Sequence, residues 1–355
     1  MSQAPTLFEA IGGTRTCRKL SKAFYARVER DPLLRPLFPG TTFRCAIDAF
    51  SAFLVQFLGG ASEDSQLRFW VSLRESHQRF QIDARHRNAW VGHMIAALED
   101  AGIARPAREA LRGFFEIAAD YMIGTGPDVR RLSRELAQRW AAQRSADDAV
   151  AAIRVGDAAR AIRLAAHCPG ALLPGLMARM MQAGDAALID FVCERVNREP
   201  ELLHARYWGR TLLHAAAGAG SLRAVELFLR LGADPNTLDG GRHTPLYCTG
   251  NECAGAESAE CVRALVRAGA RVDACDGLTG ATPLHMASRR GNAVVARALL
   301  ECGADVHSRD RRGDTPFDRA VNCKKMHVAE LLRSWRPASN GMLKNTGNDP
   351  AADER

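Results

Sequence analysis

Apolar side chains recur at helical spacing through the first third of the chain. Ala46, Phe50, Phe53 and Phe57 stand at offsets of 4, 7 and 11 from the first of them, which sets them along one face of a helix that Gly59-Gly60 then ends. Leu20, Phe24 and Val28 mark the core stripe of an earlier helix after Gly12-Gly13, and Trp90, Met94 and Leu98 that of a later one. Residues 1–125 therefore predict a small all-helical domain with an apolar interior and a few polar groups near it. Gly124-Thr-Gly-Pro-Asp128 breaks its last helix. A basic helix over Val129 to Arg144 is predicted within a linker of residues 126–147. Leu132, Leu136 and Trp140 give it a face too apolar for a free spacer, and Ser145-Ala-Asp-Asp148 reads as the cap of the next helix.

Farther along, the pattern repeats. Thr211-Leu-Leu-His214, Thr244-Pro-Leu-Tyr247, Thr282-Pro-Leu-His285 and Thr315-Pro-Phe-Asp318 start 33, 38 and 33 residues apart, the period of a solenoid. Each phrase opens a helix, because the Thr hydroxyl accepts an otherwise orphaned backbone N–H and Pro at the first helical position gives up a donor the helix does not use. Apolar-faced second helices follow, as in Ala224 to Leu231 and Val295 to Leu300, and Gly232-Ala-Asp, Gly269-Ala-Arg and Gly303-Ala-Asp supply the stops. Phrase, stop and period together resemble the ankyrin repeat over residues 211–335. The longer interval holds four extra residues around Asn251 to Ser258 and one before Thr282; insertions in repeats fall on an exposed loop face. Upstream, Gly156-Asp157 and Gly184-Asp185 occupy the places that Gly220-Ser221 and Gly291-Asn292 hold in the clear copies. Residues 148–205 thus read as two degenerate repeats, and 148–335 as the repeat domain, whose last copy drifts at Asp318 and Cys323-Lys-Lys. The resemblance implies an unidentified protein partner, met through finger tips and the inner helix face by residues such as Asp239, Arg242, Arg289, Arg311 and Arg312. The polar tail, 336–355, is expected to be disordered.

Composition narrows the setting. With 355 residues, two domains can each bury a core. The start lacks a basic and apolar signal peptide and no stretch approaches the roughly 18 uncharged apolar residues of a membrane span, which points to a cytoplasmic protein. Net charge is +8, yet the arginines are mixed with acids and no aromatic-interleaved basic patch exists, which argues against nucleic acid. The ten cysteines form no Cys-x-x-Cys pair, and His243, Cys248, Cys253 and Cys261 are spaced too loosely for zinc, so they read as reduced thiols in a reducing compartment. His86 and His93 read as surface histidines, and His214 and His285 as structural parts of the repeat phrase.

A second resemblance rests on the order of marks in the first domain. Ala10-Ile-Gly-Gly13, Phe24-Tyr25, Leu37-Phe-Pro39, Phe53-Leu-Val-Gln-Phe-Leu-Gly-Gly60, His77 with Phe80 and Ile82, then Asn88-Ala-Trp90 and Met94 resemble a group II truncated haemoglobin over residues 7–123. The resemblance implies two helices packed on two around haem b, with His77 as the proximal iron ligand. Tyr25 and Trp90 match the family's distal donors, Phe38 the aromatic at the haem edge, and Ala46 and Phe50 the distal positions facing the ligand. Phe53, Phe80, Ile82 and Met94 complete the expected cofactor-binding set. An imidazole is a strong axial ligand, and without Cys-x-x-Cys-His the haem is held non-covalently. The family's basic residue before Phe50 is replaced by Ala49, so another cation must meet a propionate; Arg44, Arg74 and Arg79 are the candidates. The run before His77, Phe69 to Ser76, also departs from the usual basic composition while keeping its length.

The expected fold class is all-α: a truncated 2-on-2 globin followed by an ankyrin α-solenoid with short β-turn fingers. The implied function is a haem protein that binds O2, nitric oxide or another diatomic gas and docks a protein, for gas or redox sensing or for targeting. Two alternatives stay open. One is an enzyme that oxidises nitric oxide to nitrate or reduces peroxide, with electrons from a reductase recruited by the repeats. No flavin or nicotinamide motif is visible in this chain, since Gly240-Gly241 lacks the strand and spacing of a phosphate turn. The other is a protein-binding scaffold that keeps a haem-free globin fold.

Overall fold

The structure, a computed structural model, describes residues 5–38, 40–60, 72–125, 129–168, 170, 172–252 and 257–336. Phe69 to Val71, Gly126 to Asp128, part of the insertion between Asn251 and Ser258, and the tail beyond Arg336 lie outside the described residues. Every named element is helical, and among the described residues the β pairing consists of one bridge, Tyr207 with Arg210. No helix among them is long and apolar enough to cross a membrane.

Helix α1 (Leu7–Ala10) leads into α2 (Gly13–Val28), which buries Leu20, Phe24 and Val28 as its stripe requires. Helix α3 (Arg44–Leu58) packs on α2 and buries Phe53 and Phe57. Gly59 ends α3 in left-handed backbone at φ +92°, and a Cβ on Gly60 would stand 2.6 Å from both Phe8 and Val55. The glycine pair therefore stops the helix and lets the chain start close over its end. The short α4 (Leu73–His77) precedes α5 (Ala84–Asp100) and α6 (Arg105–Met122); α5 packs on both α2 and α6.

The linker differs from its sequence reading. A 3-10 turn, Val129–Arg131, is followed by a single helix, α7 (Arg134–Arg154), capped by Ser133, which runs unbroken through Ser145 to Asp148. These residues cap nothing, because Asp147 is buried and accepts the backbone N–H of Leu73 at 2.7 Å instead of an N–H of its own helix. The helix end expected near Arg144 and the boundary drawn between 147 and 148 both fall inside α7. Its apolar face does pack: Leu136 and Trp140 are fully buried, with Trp140 edge-on to Phe114 (5.8 Å) and Tyr121 (5.2 Å) of α6.

The far half of α7 doubles as the first inner helix of the solenoid. Inner helices α7, α9 (Leu173–Ala183), α11 (Leu212–Ala219), α13 (Pro245–Glu252), α15 (Pro283–Arg290) and α17 (Pro316–Asn322) stack in one row. Outer helices α8 (Ala158–Ala166), α10 (Ala186–Arg198), α12 (Leu222–Arg230), α14 (Ser258–Arg267), α16 (Ala293–Glu301) and α18 (Met326–Ser334) stack in a second. One device turns inner into outer helix in the early and the clear units. Gly156, Gly184, Gly220 and Gly291 all take positive φ, and Asp157, Asp185, Ser221 and Asn292 then cap the next helix with their side chains. In the drifting last copy Lys324 takes the left-handed position without help from glycine, at φ +57°.

Between repeats, position four of the phrase reaches the next finger. His214 Nε2 donates to His243 O (3.1 Å), Tyr247 Oη to Asp276 Oδ2 (3.1 Å) and His285 Nε2 to Asp314 O (3.0 Å). Asp318 instead closes only its own cap, accepting the Thr315 N–H at 2.9 Å. Each finger is pinned by one buried carboxylate. Asp239 accepts Gly241 and His243 N–H groups at 2.8 and 2.9 Å, and Asp310 accepts those of Arg312 and Asp314 at 2.8 and 3.1 Å. Asp239 therefore holds its finger from inside and is not a tip residue, whereas Arg242, Arg289, Arg311 and Arg312 are exposed.

Candidate functional site

His77 is the last residue of α4 and half-buried. Its Nδ1 lies 2.8 Å from the Leu73 carbonyl one turn back and 2.8 Å from Ser76 Oγ, while the Ser76 hydroxyl itself donates to Leu73 O at 2.7 Å. A carbonyl only accepts, so the proton is assigned to Nδ1 and Nε2 keeps a bare lone pair. Among the described residues nothing hydrogen-bonds that Nε2. Burial holds the imidazole below its usual pKa against the pull of the Leu73 carbonyl, and the Arg79 charge adds to the effect, so the ring is neutral at pH 7. An Nδ1–H fixed on a backbone carbonyl with Nε2 open is how proteins orient a histidine that ligates a metal.

A continuous shell of rings connects His77 to two hydrogen-bond donors. His77 contacts Phe80 (6.2 Å between centroids), Phe80 contacts Phe38 (6.0 Å), and Phe38 stands edge-on to Tyr25 (5.6 Å). From Tyr25 the shell runs through Phe50 (6.4 Å) and Phe115 (6.3 Å) to Trp90 (5.9 Å), and Phe53 stacks on Phe50 at 6.4 Å. Among the described residues neither Tyr25 Oη nor Trp90 Nε1 has a hydrogen-bond partner. Burial raises the pKa of Tyr25 above that of an ordinary phenol, which keeps it an O–H donor. Two unpaired donors in an apolar shell are free to serve a ligand that the helices alone do not supply.

The remaining predicted residues sit around this shell unevenly. Ala46 and Ile82 are half-buried, on α3 and just ahead of α5, and Met94 is fully buried in the core. Of the cations, Arg74 lies over the Tyr121 ring at 4.0 Å and Arg79 over Phe80 at 4.7 Å, while Arg44 is exposed. Arg79 is thus the one whose stacking partner is a shell ring. His86 caps α5 with Asp83 and His93 pairs with Asp31 at 2.6 Å, so both have structural partners. Among the described residues no group of three or more His, Cys, Asp or Glu could hold a metal ion; axial ligation of haem iron asks for a single histidine.

Sequence reasoning misses two rings and one carbonyl. Phe43, at the start of α3, stacks on Tyr25 at 5.3 Å and carries Arg35 at 5.0 Å on its ring. Phe115 is the bridge between Phe50 and Trp90; it belongs to the buried stripe Ala107, Leu111, Phe114, Phe115 of α6, which periodicity alone would have exposed. Leu73 acts through its backbone, for which side-chain patterns give no signal.

Residues 6–124 match the bacterial-like globin family, residues 208–240 an ankyrin repeat, and residues 251–340 a set of three ankyrin repeats. Group 2 truncated hemoglobin YjbI of Bacillus subtilis (strain 168) is 34% identical over 116 residues, 33% of this chain and 86% of that protein. A solved structure of the hemoglobin of the thermophilic phototrophic bacterium Chloroflexus aurantiacus is 42% identical, over 34% of this chain and 99% of that one, with a TM-score of 0.32. Ankyrin repeat and SOCS box protein 16 of Homo sapiens is 37% identical over 158 residues, 44% of this chain and 34% of that protein. The chain spans about a third of the length of such ankyrin-repeat relatives. The first segment covers most of a truncated haemoglobin and carries both His77 and its ring shell; on that ground the chain belongs to the bacterial-like globin family, its globin domain being followed by ankyrin repeats.

Proposed function

We propose that the globin domain holds haem b through His77 and binds a diatomic gas, O2 or nitric oxide, while the ankyrin repeats dock a protein partner in the cytoplasm. The reading is carried by the His77 ring, which packs against Phe80 of the ring shell, with Nδ1 fixed on Leu73 O and Nε2 without a hydrogen-bond partner among the described residues. Haem iron supplies the coordination position for the gas. The chain's own residues orient, shield and donate. Tyr25 O–H and Trp90 N–H offer hydrogen bonds to a polar ligand and slow its escape. Phe38, Phe43, Phe50, Phe53 and Phe80, with Ala46, Ile82 and Met94, exclude water, and Arg79 beside Phe80 is the cation for a propionate. The nine described cysteines are free, which suits a reducing compartment. The exposed arginines at the fingers and on α15 supply contacts for the partner.

The test is an absorption spectrum of the purified protein with added haem in the ferric, ferrous and ferrous carbon monoxide states, beside His77→Ala. A Soret band that shifts with carbon monoxide and changes in the mutant supports the reading. No saturable haem uptake would overturn it and leave a protein-binding scaffold.

A further inference from the structure

The helix that ends in His77 is held from outside the globin domain as well as from within it. Asp147 of α7 accepts the Leu73 N–H at 2.7 Å, and the carbonyl of that same Leu73 fixes His77 Nδ1 at 2.8 Å. Glu75, two residues on, is ion-paired with Arg179 of α9, the second inner helix of the solenoid. Gln78, just past His77, accepts a hydrogen bond from Arg154 at the far end of α7. Three contacts from the linker and the solenoid thus clamp a helix of five residues, Leu73–His77, too short to hold its own geometry. Arg179 also lines the concave groove of about 520 Å³ bordered by Tyr207, Arg210 and His243, so the Glu75 pair stands where the two halves meet.

We propose that Asp147 is a positioning residue for His77, and that the ankyrin half, through α7 and Arg179, sets the seat of the proximal histidine. The proposal rests on the haem reading above. Asp147 acts at one remove: without its carboxylate Leu73 loses an anchor, α4 can rotate or slide, and the carbonyl that orients the imidazole moves with it. The Leu73 carbonyl is the partner one bond beyond the ligand, a kind that commonly tunes metal affinity, and Asp147 holds it in place. Arg179 acts on the same helix through Glu75.

The full chain loaded with haem b provides the test. Wild type, Asp147→Ala, Asp147→Asn and Arg179→Ala are compared by the iron–histidine stretching band of the ferrous protein in resonance Raman spectra, and by the rate of haem transfer to an excess of an apoglobin acceptor. Asp147→Ala is expected to shift and broaden the band and to speed haem loss roughly 10-fold. Asp147→Asn, whose amide oxygen still accepts the Leu73 N–H, should remain within about twofold of wild type, and Arg179→Ala should fall between, at about threefold. An unchanged band and loss rate in a folded Asp147→Ala overturns the proposal while leaving the haem reading intact. A wild type that takes up no haem overturns the haem reading itself. If Asp147→Ala loses its helical circular dichroism, Arg179→Ala decides, because its side chain is about one-third exposed and its loss is tolerable; an unchanged band there counts against the proposal.

Discussion

His77 in the globin domain and His214 and His285 in the repeats are three buried or half-buried histidines with pKa values lowered by burial, and they differ in one nitrogen. In the repeats both nitrogens are committed: His285 Nδ1 accepts the Thr282 N–H at 3.2 Å, and Nε2 donates to Asp314 O at 3.0 Å. His214 does the same with Thr211 and His243. In the globin domain Nδ1 is committed, and Nε2 has no hydrogen-bond partner among the described residues. The tautomers are opposite as well, proton on Nε2 in the repeats and on Nδ1 in His77, because the carbonyl partner sits on the other side of the ring in each case. The closed histidines tie one repeat to the next, whereas the His77 ring is anchored through one nitrogen.

The comparison can be broken by mutation. His285→Ala should cost about 4 kcal/mol of stability, because it opens a cavity and strands Thr282 N–H and Asp314 C=O. Denaturant unfolding of the full chain checks this, and a loss below about 1 kcal/mol would mean that the closing role is wrong. Titration sharpens it. His214 has its pKa lowered to about 4 by burial, so the folded state refuses a proton that the unfolded chain takes up. Stability falls as pH drops from about 6.5 to about 4, by roughly 3 kcal/mol from this residue. Midpoints at pH 7 and pH 4.5 measure the loss, and His214→Gln should flatten it.

Asp147 works with the opposite sign. Burial raises its carboxyl pKa to about 6, so its contribution is greatest below about pH 4 and is lost as pH rises through about 6, a change of roughly 3 kcal/mol. Asp147→Asn should remove that slope and stabilise the protein most at neutral pH, as read from thermal midpoints across the range. His77→Ala should change apoprotein stability by less than about 1 kcal/mol while abolishing normal haem ligation, since its free nitrogen closes nothing in the fold. The smallest structural effect is expected for Tyr25→Phe, within about 0.5 kcal/mol in stability; its readout is faster gas dissociation in flash photolysis.

Local chemistry is legible in the chain itself. The apolar stripes of α2, α3 and α5, the Gly59-Gly60 stop and the Thr caps depend on residues three or four apart, so spacing reveals them. The linker is harder to read, because Ser-Ala-Asp-Asp resembles a cap whenever its aspartate has no better partner. Here Asp147 has one, 74 residues away in sequence. Phe43 escapes the spacing rules for a related reason, and spacing that marks Phe115 as buried does not say against what: each becomes part of the shell only when α2, α3, α5 and α6 converge.

Outside the linker the helices, the repeat period and the candidate His77 are written in the chain, because they follow from side-chain size, backbone donors and a motif order along it. Contacts between distant segments make α7 one helix shared by linker and solenoid, turn Asp239 inward, and clamp α4 by Asp147, Arg154 and Arg179. Those choices turn on which distant group satisfies a buried carboxylate or a short helix, and burial makes an unsatisfied group too costly to leave to local sequence.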